Sequence, residues 1–185
     1  WNHDASLDWH LAADPIRSEL QQYVADLGHI YRSTPALWRD DHVPEGFRWI
    51  VVDDRQNSVL AFERRAGDEH VIVVLNMTPV PREFYRIGAP SAGAYVRLLS
   101  SDDRNYGGSE WETLERVDTE PSPSHGYAQS MLLRLPPLGA LLLVPEAQMR
   151  RAEWAAAAGV ELAPGVTEDD VLAIGAHTVE PPDDS

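Results

Sequence analysis

HVIVVLN, residues 70–76, sets five aliphatic side chains in a row between a histidine and an asparagine. A half-solvated strand alternates apolar and polar positions, whereas an unbroken run of β-branched residues suits a strand covered on both faces. The run follows a turn signal at Gly67-Asp68, and Pro79 and Pro81 come after it, where a missing amide donor does no harm to a ladder. It therefore predicts a strand enclosed from both sides, which requires layers above and below it.

The flanking sequence supplies further strands. Upstream, SVLAFER (58–64) and RWIVVD (48–53) flank a polar cluster at 54–57 suited to a tight reversal. Downstream, REFYRIG (82–88), AYVRLLS (94–100), AQSMLLRL (128–135) and GALLLVP (139–145) continue the series, with Pro136 and Pro137 between the last two. Short strands jointed by Gly, Pro and Asp predict a mainly β protein, an antiparallel β-sandwich. Residues 101–127 are too long for a hairpin and too rich in Gly and Pro for a helix. Long loops on a sheet framework are where function concentrates.

Before the strands, residues 14–34 read as a helix. Asp14 is placed to cap it, Pro15 suits the first helical position, and Glu19 follows in the first turn. Ile16, Leu20, Tyr23, Val24, Leu27, Ile30 and Tyr31 recur at three- and four-residue steps, predicting one packing face. Gly28 interrupts it as either a close approach or a tolerated defect, and Thr34-Pro35 ends it. After Glu146 an Ala-rich helix reaches Gly159, a second capped turn starts at 167–170, and nine acids against two bases make 146–185 an acidic extension.

Composition limits the function. The hydrophobic fraction of 43% and six tryptophans describe a globular chain, and 185 residues suffice for one well-buried domain. A formal charge of -15 opposes nucleic acid and anionic membranes as partners and favours a neutral one. Cysteine is absent from the sequence, which removes disulfides and thiolate metal sites. No apolar run reaches the ~20 residues of a membrane-spanning helix and no leader pattern is read, so no membrane association is expected. The chain opens on Trp rather than Met, which reads as a piece of a longer or processed protein.

Catalytic patterns are sparse. Gly107-Gly108 lacks the strand-to-helix setting of a phosphate loop, and Ser124-His125 lacks a nucleophile elbow. His3, Asp4 and His10 do not form a paired metal motif on a helix, so neither metal nor cofactor is expected. Glycoside chemistry needs two rigidly held carboxyl groups, and none of the thirty acids stands in a pattern that nominates such a pair. The opening WNHDASLDWHL (1–11) is different. Its flat rings beside hydrogen-bonding groups match what a pyranose offers, an apolar face and a polar perimeter, and match equally an aromatic core edge.

That opening, with YRSTPALW (31–38), GFRWIVVDD (46–54), VLNMTPVPREFYRIG (74–88), YGGS (106–109), SHGYAQS (124–130) and LPPLGALLLVPE (135–146), resembles the carboxy-terminal portion of bacterial 1,4-alpha-glucan branching enzymes. These are members of the alpha-amylase superfamily. The resemblance implies a division into residues 1–38, the end of a (β/α)8 catalytic barrel with 14–34 as its last helix, 39–146, an all-β carboxy-terminal domain, and 147–185, a helical acidic extension. It implies a cytoplasmic glycosyltransferase of glycogen biosynthesis that cleaves alpha-1,4 glucan through a covalent glycosyl-enzyme and passes the segment to a 6-hydroxyl, with retention. The acids of that reaction belong to earlier barrel strands, so no catalytic residue is assigned here. The implied partners are an alpha-glucan and the barrel portion of the same protein.

Trp1, Asn2, His3 and Asp4 match a segment on the family's catalytic face, which makes them the candidate substrate-binding residues, with Trp1 stacking on a glucose unit. Asp8, Trp9 and His10 are read as a structural link. The alternative function is a noncatalytic carbohydrate-binding β module using Trp38, Trp49 and Trp111. Packing in a core or between domains is the competing reading of those three, above all for Trp49 inside an apolar strand.

Overall fold

The computed structural model describes residues 3, 4, 6 and 8–150. Trp1, Asn2 and the expected helices of the extension past residue 150 lie outside the described residues; residues 146–150 are helical.

The leading helix, α1, spans Pro15–Ser33. The Asp14 carboxylate accepts a hydrogen bond from the Ile16 amide at 3.2 Å, and Pro15 occupies the first turn, where its missing donor costs nothing. The helix stops because Thr34, ahead of Pro35, is held extended at φ -119° and ψ 93°. Glu19 falls beyond the first turn, which contains no acidic residue. A Cβ added at Gly28 would meet nothing within 4 Å, so among the described residues that glycine is a tolerated defect.

Eight strands follow: β1 (Phe47–Asp54), β2 (Val59–Ala66), β3 (Glu69–Asn76), β4 (Arg82–Ala89), β5 (Ala94–Ser100), β6 (Arg116–Asp118), β7 (Gln129–Leu135) and β8 (Ala140–Pro145). They form a six-stranded sheet in the order β1-β2-β3-β8-β5-β6 and a two-stranded sheet β4-β7, antiparallel at every pairing. The expected strands are all present. β6 is an addition inside the segment read as a loop. With Val117 its only apolar residue, it carries no alternation to detect, and it exists by pairing with β5.

β3 shows why its sequence is unbroken. Ile72 and Val74 point into a core shared with Ile87, Ala89, Met131 and Leu133 of the small sheet. Val71 and Val73 point the other way, into a second core with Ala36, Leu142, Val144 and the α1 residues Tyr23, Leu27 and Ile30. The described residues thus form three layers: the two-stranded sheet, the six-stranded sheet, and α1 with the 3-10 turn Pro35–Leu37.

The reversal between β1 and β2 is fixed by Asp54. Its carboxylate accepts from the Asn57 amide at 3.1 Å and from Asn57 Nδ2 at 2.8 Å, and the Tyr85 hydroxyl of β4 donates to it at 2.5 Å. The Tyr85 bond, against opposing burial and with help from Asn57 and Arg82, holds the Asp54 carboxyl below its ordinary value. Its contribution is present above the ordinary carboxylate range and lost as pH falls through the depressed value. Tyr85→Phe is expected to lower unfolding stability by about 1–2 kcal/mol, the worth of a charge-assisted hydrogen bond. A urea midpoint equal to wild type would show that water replaces the hydroxyl.

Candidate functional site

The candidate rim is described in part. His3 and Asp4 lie in a turn ahead of the 3-10 turn Trp9–Ala13, with His3 Nε2 3.2 Å from Asp4 Oδ1 and their side chains 80% and 82% exposed. Two residues of the predicted set are therefore brought together at an uncovered surface, while Trp1 and Asn2 lie outside the described residues. Trp9 is exposed as well. Among the described residues no group of three or more His, Cys, Asp or Glu is arranged to hold a metal ion.

This turn leads straight into α1, whose apolar residues divide. Tyr23, Leu27 and Ile30 pack on the six-stranded sheet, while Ile16, Leu20, Val24 and Tyr31 stand exposed. The single packing face expected from periodicity is two faces, one occupied and one open. An open apolar stripe on a helix is a surface made for contact.

The tryptophans of the alternative reading have separate surroundings. Trp49 is 46% exposed and is not a core residue. A register shift between Trp49 and Val51 puts Ile50 and Val51 both into the interior and leaves Trp49 outside, edge-on to Phe47 and Phe62 at 5.1 and 5.8 Å. Trp38 is exposed, and Trp111 lies under the Arg134 guanidinium at 5.2 Å. Ser124 Oγ and His125 Nδ1 are 2.8 Å apart in a turn where His125 and Gly126 take φ of 50° and 79°. That pair is a turn contact, as its sequence setting implied.

Sequence reasoning missed a buried polar cluster under the 124–127 turn. Glu63 of β2 is fully buried and accepts from the Tyr127 hydroxyl at 2.6 Å, while the Arg48 guanidinium covers the Tyr127 ring at 4.3 Å. Beside it, His70 Nε2 lies 2.8 Å from the Tyr95 hydroxyl, which in turn contacts Ser91 Oγ at 2.9 Å. Arg65 stands opposite His70 in the β2–β3 register. Burial first, and then Glu63, pushes the Tyr127 hydroxyl well above the tyrosine range. No motif marks these residues, which are drawn from β1, β2, β3, β5 and two loops.

The comparisons agree with this architecture. The family model described as alpha amylase, C-terminal all-beta domain, matches residues 49–146, from inside β1 through β8. The 1,4-alpha-glucan branching enzyme GlgB of Salinibacter ruber is 47% identical over 145 residues, covering 78% of this chain and 23% of that protein. The protein of the same name from Cupriavidus pinatubonensis is 50% identical over 147 residues, covering 77% of this chain and 20% of that one. The chain thus spans about a fifth of the length of the curated relatives it matches. With the matched model covering the strands that build both cores, the chain belongs to the alpha amylase C-terminal all-beta domain family.

Proposed function

We propose that this chain forms the carboxy-terminal portion of a 1,4-alpha-glucan branching enzyme, a cytoplasmic glycosyltransferase of glycogen biosynthesis. The observation that carries the reading is the 47–50% identity to branching enzymes over more than three quarters of the chain, far above what a shared fold alone requires. In the complete protein, cleavage of an alpha-1,4 linkage and transfer of the segment to a 6-hydroxyl use a carboxylate nucleophile and a carboxylic acid/base supplied by barrel strands. Residues 1–38 end that barrel, 39–146 brace it, and 147–185 extend from the brace. The open stripe Ile16, Leu20, Val24 and Tyr31 supports this division, because the last helix of a barrel has neighbours on the side away from the β domain.

Within this reading Trp1, Asn2, His3 and Asp4 form a glucan-facing rim, and the exposure of His3 and Asp4 supports it. Trp1→Ala in the complete enzyme is expected to lower branching activity about two- to tenfold, the equivalent of a lost ring-stacking contact, with an unchanged melting temperature. Unchanged activity would refute stacking, and a sharply lower melting temperature would make Trp1 a packing residue.

The decisive experiment incubates the complete protein with linear alpha-1,4 glucan and counts new alpha-1,6 linkages. Branches are expected with the complete protein and none with the 185-residue chain by itself. A mature source protein of only 20.6 kDa that binds glucan without branching it would establish the noncatalytic module instead.

A further inference from the structure

Residues 101–115 leave the six-stranded sheet after β5 and reach across to α1. The Tyr106 hydroxyl donates to Asp26 Oδ2 at 3.0 Å, and its ring meets Tyr23 edge-on with centroids 5.2 Å apart. One turn further toward the helix start, the Glu19 carboxylate lies against Gly107, where an added Cβ would come within 2.7 Å of Glu19 Oε2. Glu19, Tyr23 and Asp26 recur at helical spacing, so the loop grips one face of α1 over two turns.

The loop is built to be stiff. The Asp102 carboxylate accepts from the Ser109 amide at 2.9 Å, the Ser109 hydroxyl at 2.8 Å and the Trp111 amide at 2.8 Å. At Gly108 an added Cβ would meet the Asp102 carbonyl at 2.1 Å, so only glycine permits the fold-back. Arg97 of β5 anchors the far side through Asp103 and Thr113, both at 2.8 Å. Burial and the Asp26 bond push the Tyr106 hydroxyl up to about 12, so it is a neutral donor at ordinary pH.

The mechanics follow from where α1 is otherwise held. Its chain connection to the sheet is at Thr34, and its inward core residues Tyr23, Leu27 and Ile30 leave the stretch ahead of Tyr23 with no core residue. At about 1.5 Å per residue, a 19-residue helix projects roughly 28 Å from that end. Its first half, with Ile16, Leu20 and Val24 exposed, would pivot about the Thr34 end without a second hold. We propose that Tyr106, through Asp26 and Tyr23, is a positioning residue: the 101–115 loop is a strut that fixes the first half of α1, and with it His3 and Asp4, against the β domain. His3 and Asp4 belong to the candidate rim, so the kinetic consequence rests on the branching-enzyme reading, whereas the mechanical one does not.

The test has two arms. In the 185-residue chain, Tyr106→Phe, which keeps the ring and deletes the donor, is expected to speed amide hydrogen exchange over residues 15–26 about tenfold while β2, β3 and β8 keep wild-type protection. Asp26→Asn, which retains an acceptor oxygen, should stay within about twofold of wild type, and Asp26→Ala should match Tyr106→Phe. In the complete enzyme, Tyr106→Phe is expected to lower kcat about fivefold with KM for glucan unchanged, and the double variant Tyr106→Phe, Asp26→Ala to be no worse than either single one. Wild-type exchange over 15–26, or acceleration spread equally through the strands, would overturn the strut. An absence of branching by the wild-type complete protein would overturn the functional reading and leave the exchange result standing.

Discussion

Tyr127→Phe is expected to lower unfolding stability by about 3 kcal/mol, the scale of loss when a buried charge is deprived of its partner. Glu63 is 0% exposed and has two neighbours that can answer its charge. Tyr127 donates a hydrogen bond at 2.6 Å to Oε2. Arg65 Nε lies 2.9 Å from Oε1, yet Oε1 accepts no hydrogen bond of acceptable geometry, so Arg65 supplies a nearby charge without an aligned donor. Its side chain is 45% exposed, and solvent weakens what it offers. Deleting one hydroxyl therefore strands a carboxylate in the interior with its weaker partner. The companion variant Glu63→Leu with Tyr127→Phe removes both polar groups and should recover most of the loss, since an apolar pair of similar volume carries no desolvation cost. Urea unfolding with an unchanged m-value reads both, and a loss below about 1 kcal/mol for Tyr127→Phe would mean that Arg65 or water suffices. The raised Tyr127 hydroxyl adds a sign: this stabilisation is present below the ordinary tyrosine value of 10.0 and is lost as pH rises through the raised one.

Glu63 also marks where sequence reading stops. In SVLAFER, Glu63 shares the buried face of Val59 and Ala61, and nothing local names the Tyr127 hydroxyl, 64 positions away, that satisfies it there. The elements themselves were legible for local reasons. HVIVVLN is continuous because both of its faces are covered, and α1 carries its cap, its first-turn proline and its Thr34-Pro35 stop within its own sequence. Partner choice was not legible. Nothing in REFYRIG distinguishes it from AYVRLLS, yet β4 leaves the main sheet to pair with β7 whereas β5 joins β8. The candidate rim came from resemblance, and of its four residues only His3 and Asp4 lie among those described. The grip of Tyr106 on Asp26 spans 80 positions, so YGGS was visible as a motif while what it holds was not.

Between pH 6.5 and about 4 the chain is expected to lose on the order of 3 kcal/mol of stability through His70 alone. The imidazole is 4% exposed, and burial first, with the Arg65 charge second, brings its pKa down from 6.5 to about 4. A folded-state value below the unfolded one means that the unfolded chain binds the proton more tightly. The contribution is therefore complete above pH 6.5 and is lost as pH falls toward 4. Asp54 acts in a separate window, since its depressed carboxyl titrates below its ordinary value of 3.8. The other described histidines, His3, His10, His29, His42 and His125, are exposed at the surface. Urea unfolding at several pH values across this range should show the decline in wild type and a flatter profile in His70→Gln; equal slopes in the two would exonerate the imidazole. The position of His70 says where acid acts first. It follows Glu69 at the start of β3, its amide donates to Gln148 Oε1 at 3.1 Å, and Met149 of the same helical turn packs in the second core. A proton on His70 faces the Arg65 cation across the register, so the start of β3 should loosen together with the 146–150 turn before the β4-β7 sheet does.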